Sequence, residues 1–306
     1  MKIGILTFHG ADNYGAVLQA YALKETVKTL GNDVEIINYI QPYIIKNYKL
    51  FKINRSSLKL LIKSLLSNIV YLFINISQKR KFSEFRTKYM DISQEKFNTV
   101  SSIKGKEVYI VGSDQVWNEQ ITNNDDAFFL TFCKNNEKKI AYAVSVGNDI
   151  ISDSNKVFIK NNMSNFDYVS VRESELKNIL ESFTEKTIYH VLDPTLLADR
   201  RIWDKFIKSN KFKYKYLLLY MLTGNEEVMK VANLVSKKLN LKVISISNSI
   251  KKNPYGFKNI RRVGPIDFIS LISNASFIVT DSFHGTAFSI IFNRDFITIP
   301  HETRGN

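Results

Sequence analysis

The sequence predicts an α/β fold: two Rossmann-like domains that face each other across a cleft. An alternation of strand, polar turn and helix repeats from the first residues onward. A second such series begins near Tyr214, and the polar, basic stretch 205–215 is the expected connection between the two. The expected domains are residues 1–204, carrying a helical insertion at about 43–90, and residues 205–306.

The first series opens on a strand at residues 2–8, then a helix from Gly15 to Leu30 closed by Gly31, then a strand from Val34 to Tyr39. Apolar strand-like runs recur at Glu107–Val111, Ile140–Val146, Tyr168–Val171 and Ile188–Leu192, with helical patterns between several of them. This alternation argues for a mostly parallel, doubly wound sheet. The second series offers strands at Tyr216–Met221, Lys242–Ser247 and 276–280, and helices at Asn225–Leu239 and Ile266–Ser273. A packed helix at Ala287–Phe292 and a strand-like Phe296–Ile299 follow. The chain stops at Asn306, so the second domain is expected to be either truncated or unusually small.

Residues 43–90 are rich in Lys, Leu, Ile and aromatics. The apolar part, Ser64–Ile76, is too short to span a bilayer. Basic flanks at Lys46, Lys49, Lys52 and Arg55, then Lys79, Arg80 and Lys81, fit an interfacial helix on an anionic membrane. A helix packed on the first domain accounts for the same pattern.

The 306 residues, 44% of them hydrophobic, suffice for two cores. The net charge of +14 comes mainly from Lys scattered among Asn and Ile, which biased composition explains as well as a binding footprint does. No helix-turn-helix, zinc module or aromatic RNA-binding motif is present, so no nucleic-acid partner is expected. A single cysteine, Cys133, excludes an intrachain disulfide framework. No signal peptide is visible, and the expected location is cytoplasmic. The four histidines are dispersed and there is no Asp-x-Asp, so no metal site is expected.

Candidate site residues lie where strands give way to helices. Asp281-Ser282-Phe283-His284-Gly285-Thr286 stands between an apolar strand and an apolar helix, the setting in which open α/β sheets bind anions. His284 there can donate to a phosphate or carboxylate or pass a proton; the plainer reading is a helix-start histidine satisfied by its neighbours. His9-Gly10-Ala11-Asp12-Asn13-Tyr14-Gly15 follows the first strand. Gly112-Ser113-Asp114-Gln115-Val116-Trp117-Asn118 follows another: Asp114 could orient or deprotonate a hydroxyl, Gln115 and Asn118 could bond one, and Trp117 offers a face to a sugar ring. Taken alone, these residues favour a capped helix start with a buried Trp; the order of all these stretches along the chain is what brings Trp117 into the site. Arg172-Glu173 offers either a bidentate anion site or a structural ion pair. Asp193-Pro194-Thr195 reads as a structural turn.

In this order the blocks resemble the polysaccharide pyruvyl transferase family. They include Asn13-Tyr14-Gly15-Ala16-Val17-Leu18-Gln19, Gly112–Asn118, Tyr142–Gly147, Ser170–Glu173, Val191–Leu197, Thr280–Phe288 and Thr303-Arg304-Gly305-Asn306, spanning nearly the whole chain. The resemblance implies a GT-B-like fold. It also implies transfer of pyruvate from phosphoenolpyruvate onto two hydroxyls of one sugar, with no cofactor and no metal. By motif, His284 is the general acid beside the donor. Arg172, Ser282, Gly285, Thr286 and Arg304 bind the donor. Asp114 faces the acceptor hydroxyls, with Asn13, Tyr14, Gly15, Ser113, Gln115, Trp117 and Asn118 around the acceptor. Where better-characterised members carry Arg-Leu-His, this chain has Ser282-Phe283-His284, so Arg304, or Arg261 and Arg262, would supply the missing cation. The implied partner is a lipid-linked or nucleotide-linked sugar at the cytoplasmic face; the interfacial reading of 43–90, drawn from its basic flanks and not from the resemblance, would add peripheral membrane contact. The alternatives are a nucleotide-sugar glycosyltransferase of the same fold and a non-catalytic homologue that binds glycan precursors.

Overall fold

The computed structural model describes residues 1–39, 41, 58–97, 99–147, 151–222, 224–249 and 252–300, with side chains of the long helix from Ile74 onward. Among these, 1–39, 41 and 86–202 form one compact unit, and 58–85 and 203–300 form another.

The first unit contains β1 (Lys2–Leu6), α1 (Tyr14–Thr29), β2 (Asp33–Tyr39), the last turn of α2 (Leu58–Tyr89), β3 (Ile92–Phe97), β4 (Val108–Asp114) and α3 (Glu119–Thr122). It continues with β5 (Lys138–Val144), α4 (Asp153–Asn162), β6 (Tyr168–Val171), α5 (Ser174–Glu181), β7 (Ile188–His190) and α6 (Pro194–Leu197). The strands form a seven-stranded parallel sheet in the order β3-β2-β1-β4-β5-β6-β7. The strand order reverses between β1 and β4, where Ile3 pairs with Val108 and Leu6 with Val111. Loops at such a switch point diverge and leave a crevice beyond the carboxyl ends of the strands. β1 is buried from Ile3 to Leu6, as expected of a parallel strand covered on both faces. Asn13 caps α1 by accepting from Ala16 N at 3.1 Å, and Gly31, at φ +81°, terminates it.

The second unit contains residues 58–85 of α2, the end of α7 (Arg201–Asp204) from Trp203, β8 (Tyr216–Tyr220), α8 (Glu226–Leu239), β9 (Lys242–Ile246), β10 (Lys258–Ile260), α9 (Pro265–Ser273), β11 (Phe277–Thr280), α10 (Phe283–Ile291) and β12 (Phe296–Thr298). Its five parallel strands run β10-β9-β8-β11-β12, with the switch point between β8 and β11. Leu217, Leu219, Val228, Ala232, Val243 and Val279 form its buried core under α8.

Four findings revise the sequence-based outline. β3 and β10, which were not foreseen, are the outer strands of their sheets and carry mostly exposed or half-exposed residues, so they lack an apolar run. β4 extends to Asp114, so Gly112-Ser113-Asp114 ends a strand rather than filling a turn. The expected insertion is helical, but the described part of α2 through Phe85 belongs to the second unit. Gln78 Nε2 donates to Val263 O at 3.0 Å, Lys81 Nζ pairs with Asp267 at 2.5 Å, and Phe85 packs on Phe206. The stretch 205–215 also belongs to this unit, through Lys208 N to Ser270 Oγ at 3.1 Å, and is not a free linker.

Candidate active site

In the first unit, strand ends β4 to β7 converge on one guanidinium. Arg172, just past β6, donates from Nη1 to Asp193 Oδ2 at 3.1 Å and from Nη2 to Ser145 Oγ at 3.1 Å. Its Nε reaches Glu173 Oε1 at 3.4 Å, and Asp114 Oδ1 lies 3.9 Å from Nη1. Ser145 Oγ donates to Glu173 Oε1 at 2.5 Å, and Ser113 Oγ donates to Asp193 Oδ2 at 3.2 Å. Below them, Gln19 on α1 donates to Thr7 Oγ1 at 2.7 Å and accepts from Ser113 N at 3.1 Å, tying β1 to β4 across the switch point. Burial would lower the Arg172 pKa, but the charges of Asp193, Glu173 and Asp114 outweigh it and raise it. Burial raises the Glu173 pKa against the opposing pull of Arg172 and Ser145.

Asp114 is half-exposed and held at φ +77°, a left-handed conformation uncommon outside glycine. Its carbonyl accepts from Val116 N at 2.8 Å and Ser145 N at 3.0 Å, so neighbouring strand ends fix this backbone. Strained positions of this kind cluster at functional sites.

The other residues expected on the acceptor side are occupied within the fold. Trp117 is 1% exposed, stacks on Phe129 at 5.2 Å and donates to Phe128 O at 3.0 Å, so its faces are turned into the core and away from any sugar. This corrects the expected stacking role: two apolar neighbours claim the ring first. Tyr14 and Gly15 are buried in the first turn of α1, and the Asn13 side-chain oxygen caps that helix. Asn118 is 6% exposed and caps α3 through Gln120 N at 3.0 Å. Gln115 lies against Gly147, where a Cβ would fall 2.1 Å from its side chain. Ser113 is fully buried in the network beneath Asp114.

In the second unit, the helix begins earlier than expected, at Phe283, so His284, Gly285 and Thr286 form the first turn of α10. Ser282 is the N-cap: its Oγ accepts from Gly285 N at 3.3 Å and its carbonyl from Thr286 N at 3.0 Å. His284 is 9% exposed, its ring edge-on to Phe283. Gly285 lies so close to β11 that a Cβ would fall 2.3 Å from Thr280 Oγ1, and Ser282 N donates to that hydroxyl at 3.1 Å. Asp281 Oδ1 accepts from Leu222 N at 2.8 Å, which joins the ends of β8 and β11 at this sheet's switch point. The positive end of the α10 dipole and an imidazole therefore stand at the strand ends where an anion is best received. Thr286 Oγ1 bonds Thr298 Oγ1 at 2.6 Å. Arg261 Nε donates to Ser249 O at 3.0 Å, Arg262 is exposed, and Arg304 lies outside the described residues.

Glu173, Ser145, Asp193 and Thr195 are brought together by the fold but were not singled out by sequence as one site. Ser145 and Glu173 stand one and two residues past β5 and β6, Asp193 stands three past β7, and Thr195 is in α6 just beyond it; a position at or shortly after a strand end was the available signal. Among the described residues, no three His, Cys, Asp or Glu are grouped to hold a metal ion.

A family model described as polysaccharide pyruvyl transferase matches residues 13–303. No curated protein matches the chain. Among solved structures, a putative UDP-N-acetylglucosamine 2-epimerase from Listeria monocytogenes is similar at TM-score 0.53 and 8% identity, over 99% of this chain and 80% of that one. The UDP-GlcNAc 2-epimerase from Neisseria meningitidis, bound to UDP-GlcNAc, is similar at TM-score 0.51 and 12% identity, over 97% and 82%. At these identities the likeness is one of fold, and it agrees with a GT-B-like pair of parallel-sheet domains.

Proposed function

The chain belongs to the polysaccharide pyruvyl transferase family, and from that premise we propose that it moves pyruvate from phosphoenolpyruvate onto two hydroxyls of a sugar, forming a cyclic ketal. Membership makes it a transferase of polysaccharide biosynthesis and implies a sugar acceptor.

In this reading His284 protonates the methylene carbon of the enol, which leaves an oxocarbenium-like carbon beside the carboxylate. One sugar hydroxyl adds to that carbon and loses its proton. A second hydroxyl then displaces phosphate at the same carbon and closes the ketal. Ser282, Gly285 and Thr286 shape the anion-receiving start of α10, and the helix dipole offsets part of the donor's charge. Asp114 and Glu173 face the hydroxyls as acceptors of hydrogen bonds and protons. Arg172 we reassign from the donor to this acidic group: a guanidinium ringed by Asp114, Glu173 and Asp193 suits hydroxyls better than a trianion. The acceptor we infer to be a lipid-linked or nucleotide-linked sugar on the cytoplasmic side. Among the described residues, no helix is long and apolar enough to cross a membrane. The side chains of 58–73, proposed for peripheral contact, lie outside the described ones.

The observation that supports this reading best is the family match together with His284 in the first turn of α10, at a switch point. Calorimetric titration of phosphoenolpyruvate into the protein and into His284→Ala tests it, with a panel of nucleotide sugars in parallel. Saturable binding that disappears in the variant is expected. Nucleotide-sugar binding without phosphoenolpyruvate binding would select a glycosyltransferase instead.

A further inference from the structure

The excess positive charge is not spread evenly. From residue 205 to 266 the sequence holds fourteen lysines and arginines against two carboxylates, Glu226 and Glu227, and from 228 to 266 it holds no carboxylate at all. Glu226 and Glu227 begin α8, on the carboxyl side of the sheet, away from the strand starts.

The fold gathers much of this charge at the amino-terminal edge of the second unit's sheet. Tyr216 of β8 is in register with Lys242 of β9, and Lys258 opens β10 opposite Ile244. The segment leading into β8 alternates Lys211, Phe212, Lys213, Tyr214 and Lys215, with the lysines exposed and the rings half-buried. Lys242 Nζ stands 4.7 Å from the Tyr214 ring centre; Lys258 and Lys211 stand 5.3 Å and 5.4 Å from that of Phe212. The end of α8 adds exposed Lys237 and Lys238, and its apolar Leu234 and Leu239 are 67% and 44% exposed. Asp295, the carboxylate before β12, is two strands away and next to Arg294.

We propose that this edge docks on an anionic phospholipid surface. Lysines supply attraction to headgroup phosphates, half-buried rings sit at headgroup depth, and two exposed leucines reach the acyl boundary. A nucleic acid would be met by the same charge, but it gives Leu234 and Leu239 no apolar phase to enter. The candidate donor site is at the carboxyl edge of the same sheet, so docking leaves it uncovered.

The test is co-sedimentation of the full chain with phosphatidylcholine vesicles, with and without about 30% phosphatidylglycerol, at about 0.1 M salt. The variants are Lys211→Gln/Lys242→Gln/Lys258→Gln and Leu234→Gln/Leu239→Gln, with melting curves to confirm the fold. Binding only to the anionic vesicles is expected. Three lysines at about fivefold each give a loss on the order of 100-fold in the first variant. The second should bind more weakly at unchanged charge. Equal binding by the lysine variant would overturn the proposal and move any contact to 43–90. Absent vesicle binding beside retention of single-stranded DNA would overturn it in favour of nucleic acid. The vesicles carry neither donor nor acceptor, so the outcome is independent of the transfer reaction.

Discussion

Arg172 Nη1 lies 3.1 Å from Asp193 Oδ2, and Asp193, with no exposed side chain, anchors much of the strand-end network. Asp193 Oδ1 also accepts from Thr195 N at 2.9 Å and Thr195 Oγ1 at 2.7 Å, fixing the start of α6. Removing one charge of a buried pair costs about 3–5 kcal/mol where the other is left uncompensated; Glu173 and Asp114 still face Arg172, which puts the loss here at the low end of that range. Asp193→Asn is therefore expected to lose that much by denaturant unfolding, and Arg172→Lys to lose less, since a point charge keeps the sign but not the fork. Unfolding curves that coincide with the wild type would remove the network from the stability of this unit.

His9, just past β1, supplies a pH dependence. Burial pushes its imidazole down to about 4, with the Thr7 carbonyl and the Asn38 side chain offsetting part of the effect. The folded value is depressed, so the stability it contributes is present above the ordinary value of 6.5 and is lost as pH falls from there towards 4. At 1.36 kcal/mol per pKa unit the loss comes to about 3 kcal/mol. His9→Gln should flatten the stability profile between those limits, read from melting temperatures across the range. A variant as acid-sensitive as the wild type would assign the loss to other groups.

Glu173 should act in the opposite sense. Burial raises its pKa above the ordinary 4.5, so its contribution is present below that value and lost as pH rises through the raised one. Glu173→Gln should remove this decline while the His9 effect stays. In turnover, loss of the same group should alter the acid limb of the rate profile, which a merely structural side chain would leave in place.

Much of this was legible in the sequence because parallel strands buried on both faces write themselves as apolar runs, as β8 does in Tyr216-Leu217-Leu218-Leu219-Tyr220. The outer strands β3 and β10 have water on one side, and their polar residues hid them. The candidate donor turn was legible because an apolar strand, a short polar stretch and an apolar helix adjoin in sequence. The network around Arg172 was not, since its members come from four strand ends far apart in the chain and only the sheet order brings them together. Trp117 misled for a related reason: an aromatic beside polar residues looks like a sugar platform until Phe129 and Phe166 are found against it. The basic edge was read as scattered lysine, because residues 211, 242 and 258 become neighbours only when β8, β9 and β10 pair.

Gly285 offers a test of how the candidate donor turn is held. A methyl there would fall 2.3 Å from Thr280 Oγ1 and 3.0 Å from Thr280 Cβ, so Thr280 must move and give up its bond from Ser282 N. Alanine favours a helix over glycine by about 1 kcal/mol, but overpacking costs about 1–3 kcal/mol, and the lost bond to the Ser282 amide adds to it. Gly285→Ala is therefore expected to destabilise, although the position is helical. Thr280→Ala removes the hydroxyl and the methyl but keeps Cβ, 3.0 Å from the added group, so in the double variant Gly285→Ala should be relieved of most of its cost and not all of it. The two changes should couple by more than 0.5 kcal/mol in a denaturation cycle. If the effects simply add, helix and strand do not touch at this point. If they couple, the position of His284 depends on the close approach of α10 to β11, and Gly285→Ala should weaken phosphoenolpyruvate binding even where the protein stays folded.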